Sequence, residues 1–528
     1  MVKRYPIKHE LQLNSPVMKK LNKTYIYSFI LLFFLFSCDE GFDEMNTNPV
    51  RLTSIDPTFQ LNQAIISSSP GYNNLTYETT IVKQMITPFQ GVGTGGNLNQ
   101  DNRSATQGNW QNGYRTVLKN LIDGLASLED MPSRSNLRHI LQIWKAHTFI
   151  MLTDTYGDIP YSEAGRGYID GVVFPTYDSQ ESIYTGILND LEAAVQGLNA
   201  ANDPIGQEVM YSGNVEQWRR LGNSLMLRAG MRLSKVDPTA AASYANMAVT
   251  GGLMESNADN AVVRHNADYR NGVGTNLNGG QAPFYYLDED FVDFLKANDD
   301  PRLTSIAVRY VGALSGGEQV EANADRTFDA QVGMPQGYDN TTIIPVVEDA
   351  EMASLFSYSQ LDRTRMGNPE APNFLVTYSQ TLLLWAEAAF RGWAPGDAEE
   401  LYHDGIRAHM EQMALWQEGM AISSDEIDAY IADHPLESGK EFELINSQYW
   451  VSSFLIGHEA WSNFRRTGFP VVNPNPYPGS DLKDEDFIRR LTYPDSELTV
   501  NKGNVDEATS RMGPDILDTR VWWDVKQN

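Results

Sequence analysis

The segment WRRLGNSLMLRAGMRLSKVDPTAAASYANMA, residues 218–248, decides the predicted fold. Trp218-x2-Leu221-Gly222 is the opening pattern of a tetratricopeptide-type hairpin, and Ala240-x3-Tyr244 is its second-helix pattern. Small residues let two helices approach closely, and an aromatic ring fills the space beside them. The second pattern comes six residues later than usual, so an ordinary amphipathic hairpin is the alternative. Both interpretations predict two packed helices.

A second stretch, residues 377–413, repeats this organisation. Leu384–Arg391 predicts the first helix, and Ala398-x3-Tyr402-x2-Gly405 matches the second. Elsewhere apolar residues recur at three- and four-residue steps, which is typical of amphipathic helices. These further predicted helices are 60–68, 78–89, 110–128, 137–152 and 183–198. The sequence therefore predicts a mostly α-helical protein of tetratricopeptide-type hairpins, with residues 58–528 as a single helical-repeat domain.

Several stretches lack helical periodicity and predict a loop-rich side. Residues 91–113 and 268–281 are rich in Gly, Asn and Gln, and residues 473–486 are rich in Pro. Residues 312–340 are also irregular, and a short strand is expected beside them at 306–311. Long loops in folded proteins are usually the segments that carry function. We therefore expect ligand binding on this side.

Eight aromatic residues in or beside these stretches are candidate ligand contacts. Flat aromatic faces stack on sugar rings or on peptide side chains, while neighbouring Asn, Gln, Asp and Arg side chains bond hydroxyls or amides. The alternative for each is a ring that fills the core. The candidates are Tyr72, Phe89, Trp110, Tyr114, Tyr269, Phe284, Tyr285 and Tyr286.

The chain has no recognisable catalytic motif, so we predict a protein that is not an enzyme. His458-Glu459 begins like a zinc-protease motif, but Ser462 stands where the second histidine is required. With so many acids, a carboxylate pair for glycoside hydrolysis cannot be singled out, and a hydrolase stays an alternative. No metal or cofactor is predicted. The acids that come closest to a Ca²⁺ set, although such residues more often cap helices, are Asp288, Asp290, Asp299 and Asp300.

The first residues predict an export signal rather than part of the fold. Three lysines precede an apolar run over residues 25–36, which is too short to cross the hydrocarbon core as a helix. This pattern is typical of a bacterial signal peptide over residues 1–37. Met18 is a possible true start, because the residues before it match no part of such a signal.

Cys38, the only cysteine of the chain, directly follows the predicted signal. Its thiol can carry a diacylglycerol after cleavage before it, which would anchor residues 38–57 as a lipidated tether. A buried structural thiol is the alternative. Asp39-Glu40 after the cysteine resemble the surface-export signal of Bacteroidetes lipoproteins.

The chain is strongly acidic. Residues 1–37 carry six Lys or Arg and one Glu, so their removal would change the formal charge from −28 to −33. Such a protein is repelled by nucleic acid phosphates and by anionic lipid headgroups. We therefore expect no nucleic-acid partner.

Segments along the whole chain resemble the SusD/RagB family of nutrient-binding outer-membrane lipoproteins, most closely its second, SusD-like branch. The most recognisable segment is LTDTYGDIPYSEA, residues 152–164. The other matching segments are 38–49, 218–234, 300–303, 386–392, 458–468, 490–501 and 521–524.

This resemblance implies a helical-repeat fold and a surface-exposed, lipid-anchored protein of the outer membrane. It implies binding of a glycan or peptide-derived nutrient, which a TonB-dependent, SusC-like transporter then takes up while the lipoprotein covers it as a lid. The resemblance transfers no binding residue and no particular ligand. A surface glycoside hydrolase and a repeat scaffold that binds other proteins remain the alternatives.

Overall fold

The computed structural model describes residues 55–89 and 91–526. Capping side chains determine where several of its helices begin. The Asp56 carboxylate accepts from the Thr58 backbone N–H at 2.8 Å, and Pro57 takes the first helical position. Thr377 and Gln380 form a reciprocal capping box. These side chains satisfy backbone groups that a helix start otherwise leaves without a partner.

The helices of the described residues are numbered here in chain order. They are α1 Pro57–Ser67, α2 Tyr72–Ile81, α3 Val92–Asn97, α4 Arg103–Thr106, α5 Gly108–Asn112, α6 Lys119–Ser127, α7 Ser135–Tyr156, α8 Gln180–Gly197, α9 Val215–Arg232, α10 Pro238–Gly251, α11 Gly272–Leu277, α12 Glu289–Ala297, α13 Arg302–Ile306, α14 Ile344–Asp349, α15 Tyr378–Phe390, α16 Ala398–Trp416, α17 Ser424–Asp433, α18 Glu441–Ser452, α19 Gly457–Thr467, α20 Asp495–Val500 and α21 Lys502–Met512. A π-helical turn, Gly113–Leu118, joins α5 to α6.

The strands are short, and all named pairs are antiparallel. They are β1 Met85–Ile86, β2 Ala261–Val263, β3 Tyr286–Leu287, β4 Ala307–Tyr310, β5 Ala324–Asp325, β6 Ser359–Leu361 and β7 Asn373–Val376. β1 pairs with β3, β2 with β7, and β4 lies between β5 and β6. β4 confirms the short strand predicted at 306–311.

Both predicted helical hairpins are confirmed, as α9 with α10 and α15 with α16. A Cβ added at Gly222 would lie 2.6 Å from Val195 of α8, so this glycine lets α9 pack closely on α8. A Cβ at Gly405 would lie 2.7 Å from Leu383 of α15, so this glycine in the same way lets α16 pack closely on α15. The small residues of the repeat pattern thus serve helix packing. The mostly α-helical fold is confirmed.

Asp56–Asn528 form one compact unit. Four segments that are distant in sequence meet there in a buried polar network. Arg232 of α9 contacts Asp154 of α7 at 3.1 Å and Glu459 of α19 at 2.6 Å. The Trp523 indole also donates to Asp154, at 2.8 Å. Each of these residues lies in one of the segments that resemble the SusD/RagB family. The residues shared with that family therefore serve largely to connect distant parts of the helical scaffold. No helix among the described residues is long and apolar enough to cross a membrane.

The helix predicted over 78–89 is wrong at both ends. α2 ends at Ile81, Lys83 takes a left-handed conformation with φ 56°, and β1 follows. Pairing of β1 with β3 buries Met85 and Ile86, so tertiary contacts override the helical periodicity. The stretch 91–113, predicted to be irregular, instead contains the short helices α3, α4 and α5. Asn102 stabilises α4 by accepting from the Ala105 N–H.

Candidate functional site

Three of the stretches identified as irregular meet in a cleft of about 250 Å³, called here the loop cleft. Residues 91–102 form one wall, and the segments around Asp339 and Tyr477 form the others. The lining residues are Pro88, Gly91, Gly95, Leu98, Gln100, Asp101, Asn102, Asp339 and Tyr477. Fold contacts thus bring together segments that lie up to about 390 residues apart in the chain.

Hydrogen bonds between the loops hold this cleft in shape. The Asp101 backbone N–H donates to the Asp481 carboxylate at 2.8 Å, and the Asp481 N–H donates to the Asn99 carbonyl at 2.9 Å. The Asn475 side-chain amide donates to Gln336 at 3.0 Å, which ties residues 473–486 to residues 312–340. Hydrogen bonds therefore connect the walls of the cleft to one another.

Two carboxyl groups with different environments face the loop cleft. Bonds from the Thr341 hydroxyl and from the Thr342 N–H lower the pKa of Asp339 to about 2, so it is ionised at neutral pH. Asp101 is exposed as a residue, but burial of its carboxyl raises its pKa, and this outweighs the opposing effect of the hydrogen bond that the Thr492 hydroxyl donates to it. Both groups can accept hydrogen bonds from ligand hydroxyls, and the amides of the same wall can also donate.

Tyr477 supplies the aromatic surface of the loop cleft. A Cβ at Gly479 would lie 2.5 Å from its ring, so glycine is needed there for the ring to pack against the loop. The Tyr477 N–H donates to the Asn475 side chain at 2.9 Å, which fixes the turn that presents the ring. A half-exposed ring beside carboxylates and amides is an arrangement that binds polar organic ligands reversibly.

The eight aromatic candidates do not come together in one place. Phe89 lies beside the loop cleft, with its ring 4.9 Å from that of Phe284. The rings of Tyr72 and Tyr285 contact edge to face at 5.7 Å, and Tyr285 is buried. Tyr286 is fully buried, and its hydroxyl donates to the Pro283 carbonyl.

The other three candidates lie elsewhere. Trp110 is only 5% exposed, in a cluster of tyrosine rings, and with Tyr114 it lines a separate cavity of about 300 Å³. Tyr114 donates to the Pro160 carbonyl at 2.7 Å. Tyr269 is 39% exposed, and its hydroxyl donates to the Ile66 carbonyl at 3.0 Å.

Sequence reasoning missed Tyr477, Asp101 and Asp339 as site residues. Tyr477 stands in Pro476-Tyr477-Pro478-Gly479, inside a stretch already identified as a Pro-rich loop. Prolines on both sides and the following glycine disfavour a helix, so this local pattern marks Tyr477 as a loop residue. The two aspartates had no such signal, because their proximity depends on loop contacts.

Three of the four acids considered for Ca²⁺, Asp288, Asp290 and Asp300, have structural partners. Asp288 caps α12 by accepting from the Asp290 N–H at 3.0 Å, and Asp300 forms a buried ion pair with Arg302. Among the described residues, no group of three or more His, Cys, Asp or Glu could hold a metal ion. Cys38, the predicted lipidation site, and the predicted signal peptide lie outside the described residues.

The comparison with known families identifies the chain. A family model named SusD-like and described as "Starch-binding associating with outer membrane" matches residues 49–494. The chain belongs to the SusD-like family. This confirms the SusD/RagB resemblance, and the homologues in this family are binding proteins rather than enzymes. No curated protein matches the chain.

Solved structures agree with this assignment. A protein described as chitin-binding is 30% identical, with a TM-score of 0.78, over 89% of this chain and all of its own. A SusD-like protein from Bacteroidetes is 25% identical, with a TM-score of 0.77 over the same shares. A chitin-binding SusD homologue from Flavobacterium johnsoniae is 25% identical, with a TM-score of 0.68, over 89% of this chain and 95% of its own. This SusD-like chain is thus a nutrient-binding type of protein associated with the outer membrane.

Proposed function

We propose that this SusD-like protein is a surface-exposed outer-membrane lipoprotein that captures a glycan and delivers it to a TonB-dependent, SusC-like transporter as its lid. The family match over residues 49–494 carries this proposal. The predicted signal peptide and Cys38 supply the route to the membrane surface. The transporter would complete the binding cavity, so the lipoprotein needs only modest affinity of its own.

The glycan that the comparisons favour is a chain of N-acetylglucosamine units. Two relatives are described as chitin-binding, one of them at 30% identity over the full length of its chain. In the loop cleft, Asp101 and Asp339 would accept from sugar hydroxyls, and the Gln100 and Asn102 amides would bond acetamido groups. The Tyr477 ring would stack on the apolar face of one sugar.

Binding by the isolated protein is expected to be weak. One aromatic stack contributes about 1 kcal/mol beyond its burial, so several contacts are needed for a useful affinity. Dissociation constants of about micromolar to millimolar correspond to roughly 4–8 kcal/mol. Weak capture also suits a protein that must hand its ligand to a transporter.

Ligand contact by the eight aromatic candidates stays a prediction. Tyr269 is the exposed one among them, and four are half-buried: Tyr72, Phe89, Tyr114 and Phe284. Trp110 and Tyr286 could meet a ligand only if the surrounding core rearranged, because both are buried. Their substitution separates a binding role from a structural one, since loss of a core ring lowers stability.

The binding test uses Tyr477→Ala and Asp339→Asn, with chitin oligosaccharides in isothermal titration calorimetry. Each variant should weaken binding by about three- to tenfold, as expected for the loss of one stack or one charged hydrogen bond. The melting temperature should change little, because both residues lie half-exposed in loops and asparagine keeps an oxygen that can accept the bonds from Thr341 and Thr342. Tyr168→Ala is the matched control, since Tyr168 is 91% exposed and does not line the cleft. Wild-type affinity in both cleft variants would contradict the assigned site.

A further inference from the structure

A second cavity, of about 310 Å³, lies between α2, α5, α7 and the start of α19. It shares no lining residue with the loop cleft. His147 of α7 and His458 of α19 both line it, so it is called here the histidine cavity. Its apolar walls include Val117, Met151 and Phe374. This volume is at the lower end of the range for small-molecule sites in proteins.

The histidine cavity has a mouth on the protein surface. Gly71 and Asn112 line it and are exposed, and Tyr269 at the same rim is 39% exposed. The Tyr269 ring stacks on His265 with their centroids 4.9 Å apart, which holds it at the rim. The cavity is therefore open to the surface at this rim.

Two imidazole rings in this cavity have nitrogens available for hydrogen bonding, although the His147 ring also packs on Trp144 at a centroid distance of 4.7 Å. Within the described part of the chain, neither the His147 nor the His458 ring has a hydrogen-bond partner. Burial lowers the pKa of His147 to about 3 and that of His458 to about 4, so both rings are neutral at pH 7. Each neutral ring offers one donor and one acceptor. No nitrogen of either ring is among the buried side-chain atoms without a partner, so these groups remain accessible to a molecule in the cavity.

Glu78 adds a third hydrogen-bonding group. Its carboxyl accepts from the Asn109 amide at 2.7 Å and from the His458 backbone N–H. Burial raises the pKa of Glu78 to about 8, so at pH 7 the group is mostly protonated and holds a proton to donate. Among the described residues, no Lys, Arg or Asp lines the cavity, so at neutral pH this lining is essentially uncharged.

The backbone at the cavity wall is strained. Leu455 lines the cavity with φ 64°, in the left-handed region that a branched, non-glycine residue rarely adopts. Residues in such conformations cost about 1–3 kcal/mol and concentrate at ligand-binding sites. This strain is independent of the hydrogen-bonding groups and points to the same cavity.

We propose that the histidine cavity is a second ligand site, which takes one uncharged, hydrogen-bonding molecule about the size of a single sugar ring. An ionic ligand would lose its hydration and meet no opposite charge. A purely apolar ligand would leave both imidazoles without partners. A sugar with an amide group fits both constraints, because it donates and accepts while its ring face contacts the apolar walls. This site does not depend on the loop cleft.

The test follows the imidazole ¹⁵N signals of the folded protein while N-acetylglucosamine is added, with glucuronate as the charged counterpart. N-acetylglucosamine should shift two imidazole signals, which His147→Phe and His458→Phe assign, whereas glucuronate should shift neither. The double variant should bind about tenfold more weakly, as expected for two lost hydrogen bonds. Its melting temperature should stay near the wild-type value, because phenylalanine keeps a ring at each position, including the one that packs His147 on Trp144.

His434→Phe is the matched control, because His434 lies outside the cavity and bonds the Tyr430 carbonyl. Wild-type imidazole signals that do not move with N-acetylglucosamine would overturn the proposal, and this measurement needs no variant to fold. Equal responses to glucuronate, or unchanged binding in the double variant, would also overturn it. Tyr477→Ala should keep the monosaccharide response, so failure of this site and failure of the loop cleft are distinguishable.

Discussion

Glu387 of α15 pairs with the buried Arg466 and the partly exposed Arg391, and Glu387→Gln removes the charge that neutralises them. Both carboxylate oxygens of Glu387 bond Arg466 of α19, at 2.7 and 2.6 Å, and Arg391 bonds the same carboxylate at 2.9 Å. Glu387 is 0% exposed and Arg466 is 1% exposed. The glutamine keeps the shape of the side chain but leaves the Arg466 charge buried without compensation. We therefore expect a large loss of stability.

The expected loss of folding free energy can be obtained both from the pKa shift of Glu387 and from the typical cost of breaking a buried ion pair. Burial alone would raise the pKa of Glu387, but Arg466 and Arg391 outweigh it and lower the pKa from 4.5 to about 2. A shift of that size corresponds to about 3 kcal/mol of folding free energy at neutral pH. Removal of one partner from a buried ion pair typically costs about 3–5 kcal/mol. We expect Glu387→Gln to lower the free energy of unfolding by about 3–5 kcal/mol.

Urea unfolding followed by tryptophan fluorescence measures this change. Because the folded-state pKa is lowered, the stabilisation is full above pH 4.5 and is lost as the pH falls towards 2. The difference between wild type and Glu387→Gln should therefore shrink on acidification. Glu411→Gln, at an exposed position of the neighbouring α16, should change stability little at any pH. A difference below about 1 kcal/mol at pH 7, or one that does not change with pH, would refute this reasoning.

Three further outcomes are expected. Cys38→Ala should release a folded protein from membranes, and a variant that stays bound in high salt would contradict the lipid anchor. Trp110→Ala should lower the free energy of unfolding by about 3–5 kcal/mol, because the ring is buried among tyrosines; wild-type stability in urea would show that it is not a core residue. Gly157→Ala should cost about 1–3 kcal/mol, since Gly157 has φ 82° and an added Cβ would meet Met512; an unchanged melting temperature would contradict this.

Periodicity and small-residue spacing were sufficient to predict the helical scaffold. Trp218, Gly222 and Gly405 occupy the packing positions that the repeat pattern assigns to them, because helix contacts depend on residue size at fixed steps. The pattern failed after Ile81, where β1 pairs with a strand about 200 residues later. Such pairing leaves no local signal in so short a segment.

The candidate site was predictable only in part. The stretches that form the loop cleft could be identified from their composition, but their convergence depends on side-chain bonds such as Asn475 to Gln336. The aromatic residues beside loops were also ambiguous, since Tyr269 and Tyr286 both lie in or near the stretch 268–281 but Tyr269 is exposed and Tyr286 is buried. Burial of a single ring is decided by tertiary packing, which composition does not encode.

The central claim is that this SusD-like protein binds a glycan without changing it. The most direct measurement incubates the purified protein with chitin oligosaccharides, records binding by calorimetry and analyses the recovered sugars by mass spectrometry. We predict saturable binding in about the micromolar to millimolar range, weakened by Tyr477→Ala, with every oligosaccharide recovered at its original length. Shortened products would show that the protein is an enzyme. If no oligosaccharide gave a heat of binding, either with the protein alone or with the transporter present, glycan capture would be contradicted.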